Sequence, residues 1–402
     1  MRDLEIDRVE VYAVGPEIAR YRWVWNMAEQ YMTHTILRVF TRGGLEGVAG
    51  AISFSEYGFS SAVAETLRRM VPDLIGASPL EREALWYRLR KLDFPTAPQA
   101  QSLMDIALWD LAAKAANMPL YQFLGGARSR ILSYASTPLL ESADAYVDQV
   151  AELKERGFKA VKFHCWCDVE RDMPMVRAVH ERFGGDPALR FMLDVEMRYS
   201  PVDALRAGRV LEELGFAWFE APLLDTDLAG YRELRRQVRV PIIPAGNWLL
   251  APGLIEAAIQ MGCWSSARID VTVAGGFTPA RKIMAIAGAN SMNVEIQSWG
   301  YTLTQAANLH LMLAHDNCTY FEQAIPFEPY EHGAFNPIRT DAEGYVHAPV
   351  GPGLGIQLTG RGSNSPPSCN TRSARERRSC RGTRRAPSPC SPPEGLLTIS
   401  RS

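Results

Sequence analysis

Three residues that can bind a metal ion through oxygen follow apolar stretches at nearly equal intervals. Asp194 ends Phe-Met-Leu-Asp, Glu220 lies in Trp-Phe-Glu-Ala-Pro, and Asn247 ends Ile-Pro-Ala-Gly-Asn. Their separations, 26 and 27 residues, are about the length of one strand and one helix. In a barrel of parallel strands such residues meet at one rim, where Mg²⁺ finds the oxygen ligands it prefers. Asn247 brings no negative charge, so the sequence leaves open whether it binds the ion or lies behind the ligands.

From Ile131 onward, short apolar stretches alternate with amphipathic segments that have the apolar spacing of a helix. The predicted strands are 131–136, 160–165, 190–195, 216–220, 240–245, 267–272, 292–298 and 319–323. Alternation with a period of about 25 to 30 residues predicts parallel strands joined by helices, and about eight of them close a barrel. We therefore predict an α/β fold with a TIM-type (β/α) barrel over 126–324. A doubly wound open sheet is the alternative, but no Gly-x-Gly-x-x-Gly follows an early strand.

Residues 1–125 have a different pattern. The stretch 35–41 is rich in β-forming residues, and the Gly43-Gly44 turn after it predicts a returning strand. Residues 61–124 change to a helical period that ends at Gly125-Gly126. This order predicts an α+β domain that precedes the barrel.

Composition excludes several classes of function. The chain has 402 residues, of which 47% are hydrophobic, and a net charge of -2. Nine of its 43 basic and two of its 45 acidic residues lie from Arg361 onward, so the preceding part carries about -9. That charge argues against a nucleic-acid partner. No apolar run of about 18 residues predicts a membrane span, and the acidic N-terminus lacks a signal-peptide pattern, so we expect a cytoplasmic protein without a membrane partner.

The segment 360–402 is dense in Ser, Pro, Arg and Cys, and it shows no apolar period before Leu396-Leu-Thr-Ile399. Such a composition buries too little surface to offset the entropy of ordering. We predict a disordered or non-native tail, with a functional Arg-rich arm as the alternative.

The order of these modules resembles the enolase superfamily, and more closely its mandelate racemase and muconate-lactonizing branch. The resemblance covers about residues 4–358 and is carried by the helix Met104-Asp-Ile-Ala-Leu-Trp-Asp, by Gly125-Gly126 and by Phe219-Glu-Ala-Pro222. It implies that 1–125 is a capping domain, completed by about 325–358. It also implies a homo-oligomer that removes a proton beside a carboxylate and stabilises the resulting enediolate on Mg²⁺. Asp194 and Glu220 match the first two metal positions.

A Lys and a His follow each other with one residue between them on the second predicted barrel strand. Lys162 and His164 share the inward face because side chains alternate along a strand. The family's usual pattern is Lys-x-Lys, in which the first Lys contacts the substrate carboxylate and the second is a base. His164 stands in the second position and can take up a proton near neutral pH. A histidine without a catalytic role is the alternative.

Across the barrel, the resemblance implies that Asp270 supports a residue on the next strand. Gln297 stands where that branch has a His base, and glutamine cannot act as a base. The two-base machinery for a 1,1-proton transfer is therefore predicted to be absent. Glu295, on the same inward face, is a possible substitute in contact with the substrate, and Gln297 is expected to hydrogen-bond the substrate and Asp270.

The last predicted strand and the first domain complete the candidate site. Glu322 matches the position whose carboxyl group hydrogen-bonds the enediolate oxygen in the racemase branch. The aromatic segment 21–32 and the loop 54–58 are expected to close over the barrel and select the substrate. The polar residues expected to contact substrate hydroxyls there are Arg22, Asn26, Glu56 and Tyr57.

Three functions remain open from the sequence. The first is a Mg²⁺-dependent lyase acting on a hydroxylated carboxylate, specifically an acid-sugar dehydratase. The second keeps the fold and assigns racemisation, epimerisation or cycloisomerisation. The third is a catalytically degenerate barrel that binds a carboxylate, a reading favoured by Asn247, Gln297 and the unusual tail.

Overall fold

The computed structural model of the protein describes residues 2–90, 97–359 and 395–400. Lys162 and the other residues predicted to face inward belong to a barrel. The first part of the chain forms three antiparallel strands and four helices. The strands are β1 (Ile6–Val14), β2 (Tyr31–Thr41) and β3 (Glu46–Ser55). The helices are α1 (Ala62–Met70), α2 (Arg82–Arg90), α3 (Pro98–Ala115) and α4 (Leu120–Phe123). Short 3₁₀ turns occupy Arg2–Leu4 and Val71–Asp73.

Helix α3 joins this domain to the barrel. Pro98 lies in its first turn, and the helix is buried on nearly all sides, in keeping with its largely apolar sequence. Gly47 of β3 lies so close to it that a Cβ would be 2.5 Å from the Ala107 carbonyl oxygen. The buried Asp105 carboxylate accepts from the N–H and hydroxyl of Thr278 in the barrel, at 2.9 and 2.5 Å.

Eight parallel strands and seven helices alternate after α4. The strands are β4 (Arg130–Ser136), β5 (Ala160–His164), β6 (Arg190–Asp194), β7 (Trp218–Glu220), β8 (Ile242–Ile243), β9 (Ala267–Ile269), β10 (Val294–Ile296) and β11 (Tyr320–Ala324). The helices are α5 (Ala143–Glu155), α6 (Val169–Phe183), α7 (Pro201–Glu213), α8 (Leu228–Gln237), α9 (Pro252–Gln260), α10 (Phe277–Ala289) and α11 (Thr302–Ala314).

The strands follow one another around a closed ring. β4 pairs with both β5 and β11, the order continues from β5 to β8, and β9 pairs with β10. Backbone bonds close the two remaining gaps: Ser265 N–H donates to the Ile242 carbonyl at 2.8 Å, and Val294 N–H donates to the Asn317 carbonyl at 2.8 Å. The predicted barrel with a preceding capping domain is confirmed.

Several helices begin at a side chain that accepts a hydrogen bond from the first helical turn, which fixes where each crossover starts. These residues are Ser142 for α5, Asp168 for α6, Ser200 for α7 and Asp227 for α8.

The chain after β11 returns to both domains. A 3₁₀ turn spans Glu328–Glu331, and β12 (Tyr345–His347) pairs antiparallel with β4. The N–H of Leu354 donates to buried Asp110 of α3 at 2.7 Å, so this segment also contacts the capping domain.

A last strand, β13 (Gly395–Ser400), pairs antiparallel with β1 and extends its sheet to the order β13-β1-β2-β3. The predicted disordered or non-native tail covers 360–402, and apart from 395–400 that prediction lies outside the described residues. Within the described part of the chain, no helix has both the length and the apolar character needed to cross a bilayer.

Candidate active site

Neighbouring strands bring three functional side chains to one edge of the barrel. In the parallel register His164 of β5 lies beside Asp194 of β6, and Asp194 lies beside Glu220 of β7. Each is the last residue of its strand, so the three lie at the carboxyl end of the barrel, where barrel enzymes have their active sites. Lys162 shares the inward face, and all four are buried.

The Lys162 ammonium is surrounded by carboxylates. Nζ donates to Asp194 Oδ2 at 3.0 Å and to Glu220 Oε1 at 2.8 Å, and it lies 2.9 Å from Glu322 Oε1. Burial alone would lower the pKa of Lys162, but the charges of Glu220 and Glu322 raise it well above its ordinary value. Lys162 is therefore held as a charged hydrogen-bond donor to these carboxylates.

Arg268 is a second buried cation, which the sequence analysis missed. Its Nη2 lies 2.9 Å from Glu220 Oε1 and 3.2 Å from Glu322 Oε2. The sequence signal that could have indicated it is an Arg in an inward-facing position of the predicted strand Ala-Arg-Ile-Asp. We refer to these five connected side chains as the carboxylate cluster: Lys162, Asp194, Glu220, Arg268 and Glu322.

Glu322 is held as an anion. Ser136 Oγ donates to its Oε1 at 3.0 Å, and the Ser298 N–H donates to its Oε2 at 3.1 Å. Burial would raise the pKa of Glu322, but Lys162 and Arg268 lower it to about 2. The role that the resemblance implies for Glu322, a hydrogen bond to the enediolate oxygen, stays a prediction.

The imidazole of His164 is oriented by a backbone carbonyl. Nδ1 lies 2.6 Å from the Thr137 carbonyl oxygen, which only accepts, so Nδ1 carries a hydrogen. Nε2 lies 3.3 Å from both Asp194 Oδ2 and Glu196 Oε1. Burial lowers the pKa of His164, but Asp194 and Glu196 more than offset this and raise it to about 9. Nε2 is therefore the ring atom that can exchange a proton.

Glu196 is another residue that the sequence analysis missed. It follows Asp194 by two positions, and its backbone has φ of 48°, in the left-handed region that non-glycine residues rarely adopt. The next residue, Met197, also has a positive φ, 61°. Ligand atoms of His164, Asp194 and Glu196 lie within 4.8 Å of one another. The acid-x-acid spacing was the only signal, because no periodicity extends into this turn.

The prediction that Asn247 lies at the metal site is not supported by its position. Its side chain is exposed, and its N–H donates to Asp225 Oδ2 at 3.1 Å. Strand β8 already ends at Ile243, so residue 247 lies four positions beyond the rim, whereas Asp194 and Glu220 end their strands. Gly246 turns the chain with φ of 78°, and a Cβ there would be 2.7 Å from the Arg268 carbonyl oxygen.

Asp270 is buried, but Gln297 does not support it. Asp270 Oδ1 accepts from Thr272 N–H at 2.7 Å, from Thr272 Oγ1 at 2.8 Å and from Asn308 Nδ2 at 2.8 Å. Burial raises the pKa of Asp270 to about 6. The side-chain bonds of Asp270 among the described residues come from Thr272 and Asn308 and not from Gln297 Nε2, and Gln297 Oε1 is buried there without a hydrogen-bond partner.

Glu295 is the middle residue of β10, and its carboxylate is bound on the side away from the carboxyl ends of the strands. Its Oε1 accepts from Thr319 Oγ1 at 2.7 Å, and its Oε2 accepts from the Thr319 N–H at 3.2 Å. Thr319 directly precedes β11, so these bonds are at the amino ends of the strands. Glu295 shares a face with Gln297, but its carboxylate is bound to Thr319, so its position does not support the predicted substrate contact.

The polar residues expected on the capping loops are not in contact with the cluster. Arg22, Asn26, Glu56 and Tyr57 are all exposed, and Tyr57 is 97% exposed. Aromatic side chains lie next to His164 instead. Its ring centroid is 5.6 Å from that of Trp299 and 6.4 Å from that of Trp23.

The donor set fits a hard divalent cation. Burial and the adjacent Asp194 carboxylate raise the pKa of Glu220 to about 8 despite the opposing charges of Arg268 and Lys162, so a further cation beside these acids would favour the ionised form of Glu220. The site has more buried or partly buried carboxylates than the two cations Lys162 and Arg268 can balance. These carboxylates are Asp194, Glu196, Glu220, Asp270 and Glu322. Asp194 and Glu220 supply the oxygen ligands that Mg²⁺ prefers, with Glu196 as a further oxygen donor.

Known sequence families and curated relatives match both domains. Residues 11–125 match the N-terminal domain of mandelate racemase/muconate lactonizing enzyme, and residues 145–362 match an enolase C-terminal domain-like family. A D-galactarolactone cycloisomerase from Agrobacterium fabrum is 28% identical over 71% of this chain and 79% of its own length. A D-galactonate dehydratase family member from Streptomyces bingchenggensis is 29% identical over 80% of this chain and 87% of its own length.

Solved structures agree with these matches. A protein from Pseudovibrio sp., described as a mandelate racemase/muconate lactonizing enzyme, is 43% identical with a TM-score of 0.87, covering 89% of this chain and 95% of its own. A D-glucarate dehydratase from Agrobacterium tumefaciens, complexed with magnesium, is 27% identical with a TM-score of 0.77, covering 89% and 97%. The prediction of an enzyme is confirmed, whereas a homo-oligomer and a cytoplasmic location stay predictions. The chain belongs to the mandelate racemase/muconate lactonizing enzyme branch of the enolase superfamily.

Proposed function

We propose that the protein is a Mg²⁺-dependent lyase that removes the proton α to a carboxylate, specifically an acid-sugar dehydratase. The observation that carries this proposal is the register of β5, β6 and β7. It places His164, the imidazole of the group, directly beside Asp194, and Asp194 directly beside Glu220. The named dehydratases among the relatives support the same reaction class.

The metal would be held by Asp194 and Glu220, with Glu196 as a further oxygen donor. When bound, Mg²⁺ supplies positive charge that stabilises the substrate carboxylate and the negative charge developing as the α-proton leaves. The charged Lys162 donor lies against both predicted ligands, so it orients their carboxylates and adds a second positive charge to the same region.

His164 is the group that moves the proton. The Thr137 carbonyl fixes the hydrogen on Nδ1, which leaves Nε2 to accept the α-proton when the ring is neutral. Loss of water releases one proton from carbon and consumes one at the departing hydroxyl, so the same imidazole can carry it from one atom to the other. Dehydration therefore needs no second base at Gln297.

A cycloisomerase is the second candidate. Similarity to the D-galactarolactone cycloisomerase favours it, and a single proton-transferring His164 is compatible with it. Racemisation is disfavoured, because it needs bases on both faces of the carbon and Gln297 cannot supply one.

The test is a panel of aldonic and aldaric acids incubated with the enzyme in saturating Mg²⁺, with 2-keto products detected by semicarbazide. We expect Mg²⁺-dependent formation of a 2-keto acid from at least one substrate. The panel should include aldarolactones, since a keto acid that has the same mass as the lactone, formed by ring opening without gain or loss of water, would favour the cycloisomerase. No turnover of any member, combined with binding of one, would favour the catalytically degenerate barrel.

A further inference from the structure

Three ligand atoms surround one point at the carboxyl end of the barrel. His164 Nε2 lies 3.3 Å from Asp194 Oδ2 and 3.3 Å from Glu196 Oε1, and the three atoms all lie within 4.8 Å of one another. The two contacts are longer than the distance of about 2.7 to 2.9 Å that is usual for a charge-assisted hydrogen bond. They match the separation of about 3.3 Å between neighbouring ligands of a tetrahedral zinc ion. The three atoms are therefore spaced like ligands of one metal ion.

The ring of His164 is held in the way that is usual for a metal-binding histidine. Nδ1 donates to the Thr137 carbonyl oxygen at 2.6 Å, and the residue is buried. Histidines that bind a metal ion commonly donate their other ring N–H to a carbonyl or carboxylate, which fixes the orientation of the ring. Nε2 is therefore directed at the two carboxylates before any ion binds.

The two carboxylates are also held in place. Asp194 Oδ1 accepts from the Glu196 N–H at 3.0 Å, which leaves Oδ2 on the side of His164. The turn that carries Glu196 is strained, with φ of 48°, and the next residue, Met197, donates its N–H to the Ala221 carbonyl oxygen at 2.8 Å. Such strained turns persist where the surrounding structure holds them, and they are frequent at ligand sites.

Glu196 is more accessible to an ion than Glu220. Glu220 Oε1 already lies against two buried cations, Lys162 at 2.8 Å and Arg268 at 2.9 Å. Within the described part of the chain, Glu196 makes an ion pair only with His164, and its side chain is 26% exposed. An ion can therefore reach Glu196 from solvent without displacing a lysine or an arginine from it.

The types of the three ligands determine which ions fit. One imidazole nitrogen with two carboxylate oxygens suits a divalent transition metal, whereas Mg²⁺ prefers oxygen ligands alone. Zn²⁺ binds such a mixed set more tightly than Mn²⁺ does. The same two carboxylates attract the proton that Nε2 carries in the metal-free protein, and an ion that binds there releases it. Three protein ligands leave one position of the ion open to water.

From this arrangement we propose that His164, Asp194 and Glu196 form a binding site for a zinc-class divalent ion. It differs from the proposed Mg²⁺ site in using the imidazole of His164 in place of Glu220. An ion on Nε2 blocks the atom that accepts the α-proton, so it inhibits the enzyme even when Mg²⁺ is saturating. Binding of the ion is independent of the proposed function, whereas the inhibition rests on it.

The first test is calorimetric titration of the full chain with Zn²⁺ in saturating Mg²⁺ at one fixed pH. Zn²⁺ affinity should fall at least about 100-fold in His164→Asn and at least about tenfold in Glu196→Gln, because each loses a ligand. Glu220→Gln should change it less than about threefold. His347→Asn is the matched control, since His347 pairs with Asp341 on the surface, and it should bind Zn²⁺ normally. No Zn²⁺ binding by the normal chain, or a loss in Glu220→Gln as large as that in Glu196→Gln, overturns the proposal.

X-ray absorption at the zinc edge gives a readout that does not depend on activity. The complex of the normal chain with one equivalent of Zn²⁺ should show scattering from an imidazole ligand. That signal should be lost in His164→Asn and kept in His347→Asn. A zinc shell made of oxygen alone in the normal chain overturns the proposal, even if the His164 variant fails to fold.

Inhibition is measured on a substrate found with the acid panel, in saturating Mg²⁺. Zn²⁺ should inhibit the normal chain, and Glu196→Gln should need at least about tenfold more Zn²⁺ for the same fractional loss of its own zinc-free rate. Zinc bound to His164 without inhibition overturns the inhibitory role. Zinc binding as expected, with no turnover of any acid, contradicts the proposed function and leaves the zinc site supported.

Discussion

Two groups of side chains lie next to His164, and they arise in different ways. One is the carboxylate cluster, and the other is the aromatic cluster formed by Trp23, Phe54 and Trp299. The first is built by strand register, which sets inward-facing side chains of neighbouring strands next to one another and joins their opposite charges in ion pairs. The second is built by packing between two domains, with Trp23 and Phe54 from the cap and Trp299 from the barrel. We therefore expect the reaction chemistry to depend on the barrel residues, and the substrate choice to depend on how the capping domain packs against the barrel.

The largest effect on catalysis should come from changing His164, the side chain that lies next to both clusters. His164→Asn is expected to lower kcat at least about 10³-fold, because the proton acceptor is lost, with Mg²⁺ affinity changed less than about tenfold. Steady-state kinetics and calorimetry measure the two quantities. His180→Asn, on the outer helix α6, is the matched control and should retain full activity. A His164→Asn enzyme with more than a tenth of the normal kcat would rule out the assigned base.

Strand register explains what could be predicted from the sequence. Asp194 and Glu220 end strands whose apolar stretches were clear, and period-two alternation placed Lys162 and His164 on one face. The same alternation gives the face of a residue but not its height in the barrel. Glu295 was therefore expected beside the substrate, although its carboxylate is bound to Thr319, at the amino end of β11.

Turns beyond the strand ends could not be predicted in this way. The Asn247 prediction extended the strand-helix period past the end of β8, which stops at Ile243. Glu196 occupies a left-handed turn, where no pattern applies. The aromatic cluster joins positions far apart in the chain, so neither its contact with His164 nor the exposure of Arg22 and Glu56 had a local signal.

The next largest effect is on the free energy of unfolding, which should depend on the ion pairs of the carboxylate cluster. Lys162→Met removes an ammonium bound by three carboxylates and leaves them facing one another in a buried site. We expect the free energy of unfolding to fall by about 3 to 5 kcal/mol, measured by urea denaturation in chelator. Lys282→Met, which removes an exposed pair with Glu83, is the control and should change it by less than about 1 kcal/mol. Equal losses in the two variants would contradict the cluster's role.

The raised pKa of His164 predicts a pH dependence in metal-free protein. The folded pKa of about 9 lies above the ordinary value of 6.5, so the stabilisation is complete below pH 6.5 and is lost as the pH rises through 9. The difference in unfolding free energy between the normal chain and His164→Asn should fall by up to about 3 kcal/mol across that window. A difference that is flat between pH 6 and 10 would show that Asp194 and Glu196 do not hold the imidazolium.

The affinity for Mg²⁺ should distinguish Asp194, at the end of its strand, from Asn247, which lies beyond the end of β8. Asp194→Asn is expected to weaken Mg²⁺ binding at least about 100-fold, because it removes a charged ligand from the site. Asn247→Ala should change the affinity less than about threefold, since that side chain is exposed. Calorimetric titration with Mg²⁺ measures the affinity of both variants. A loss of Mg²⁺ affinity in Asn247→Ala that exceeds threefold would indicate that Asn247 is a metal ligand.

The smallest effect should come from the aromatic cluster. Trp23→Phe and Trp299→Phe keep an aromatic ring but reduce its contact area, and they should raise KM about three- to tenfold while kcat changes less than about twofold. Steady-state kinetics on the best substrate of the panel measures both. A loss confined to kcat would instead place these rings in the chemistry of the carboxylate cluster.

The most direct test of the central claim is an anomalous-scattering map from crystals grown with Mn²⁺ in place of Mg²⁺. The account predicts one strong peak at ligand distance from the carboxylates of both Asp194 and Glu220, with the side chain of Asn247 remote from it. A map with no peak between those two carboxylates, in crystals saturated with the ion, would contradict it.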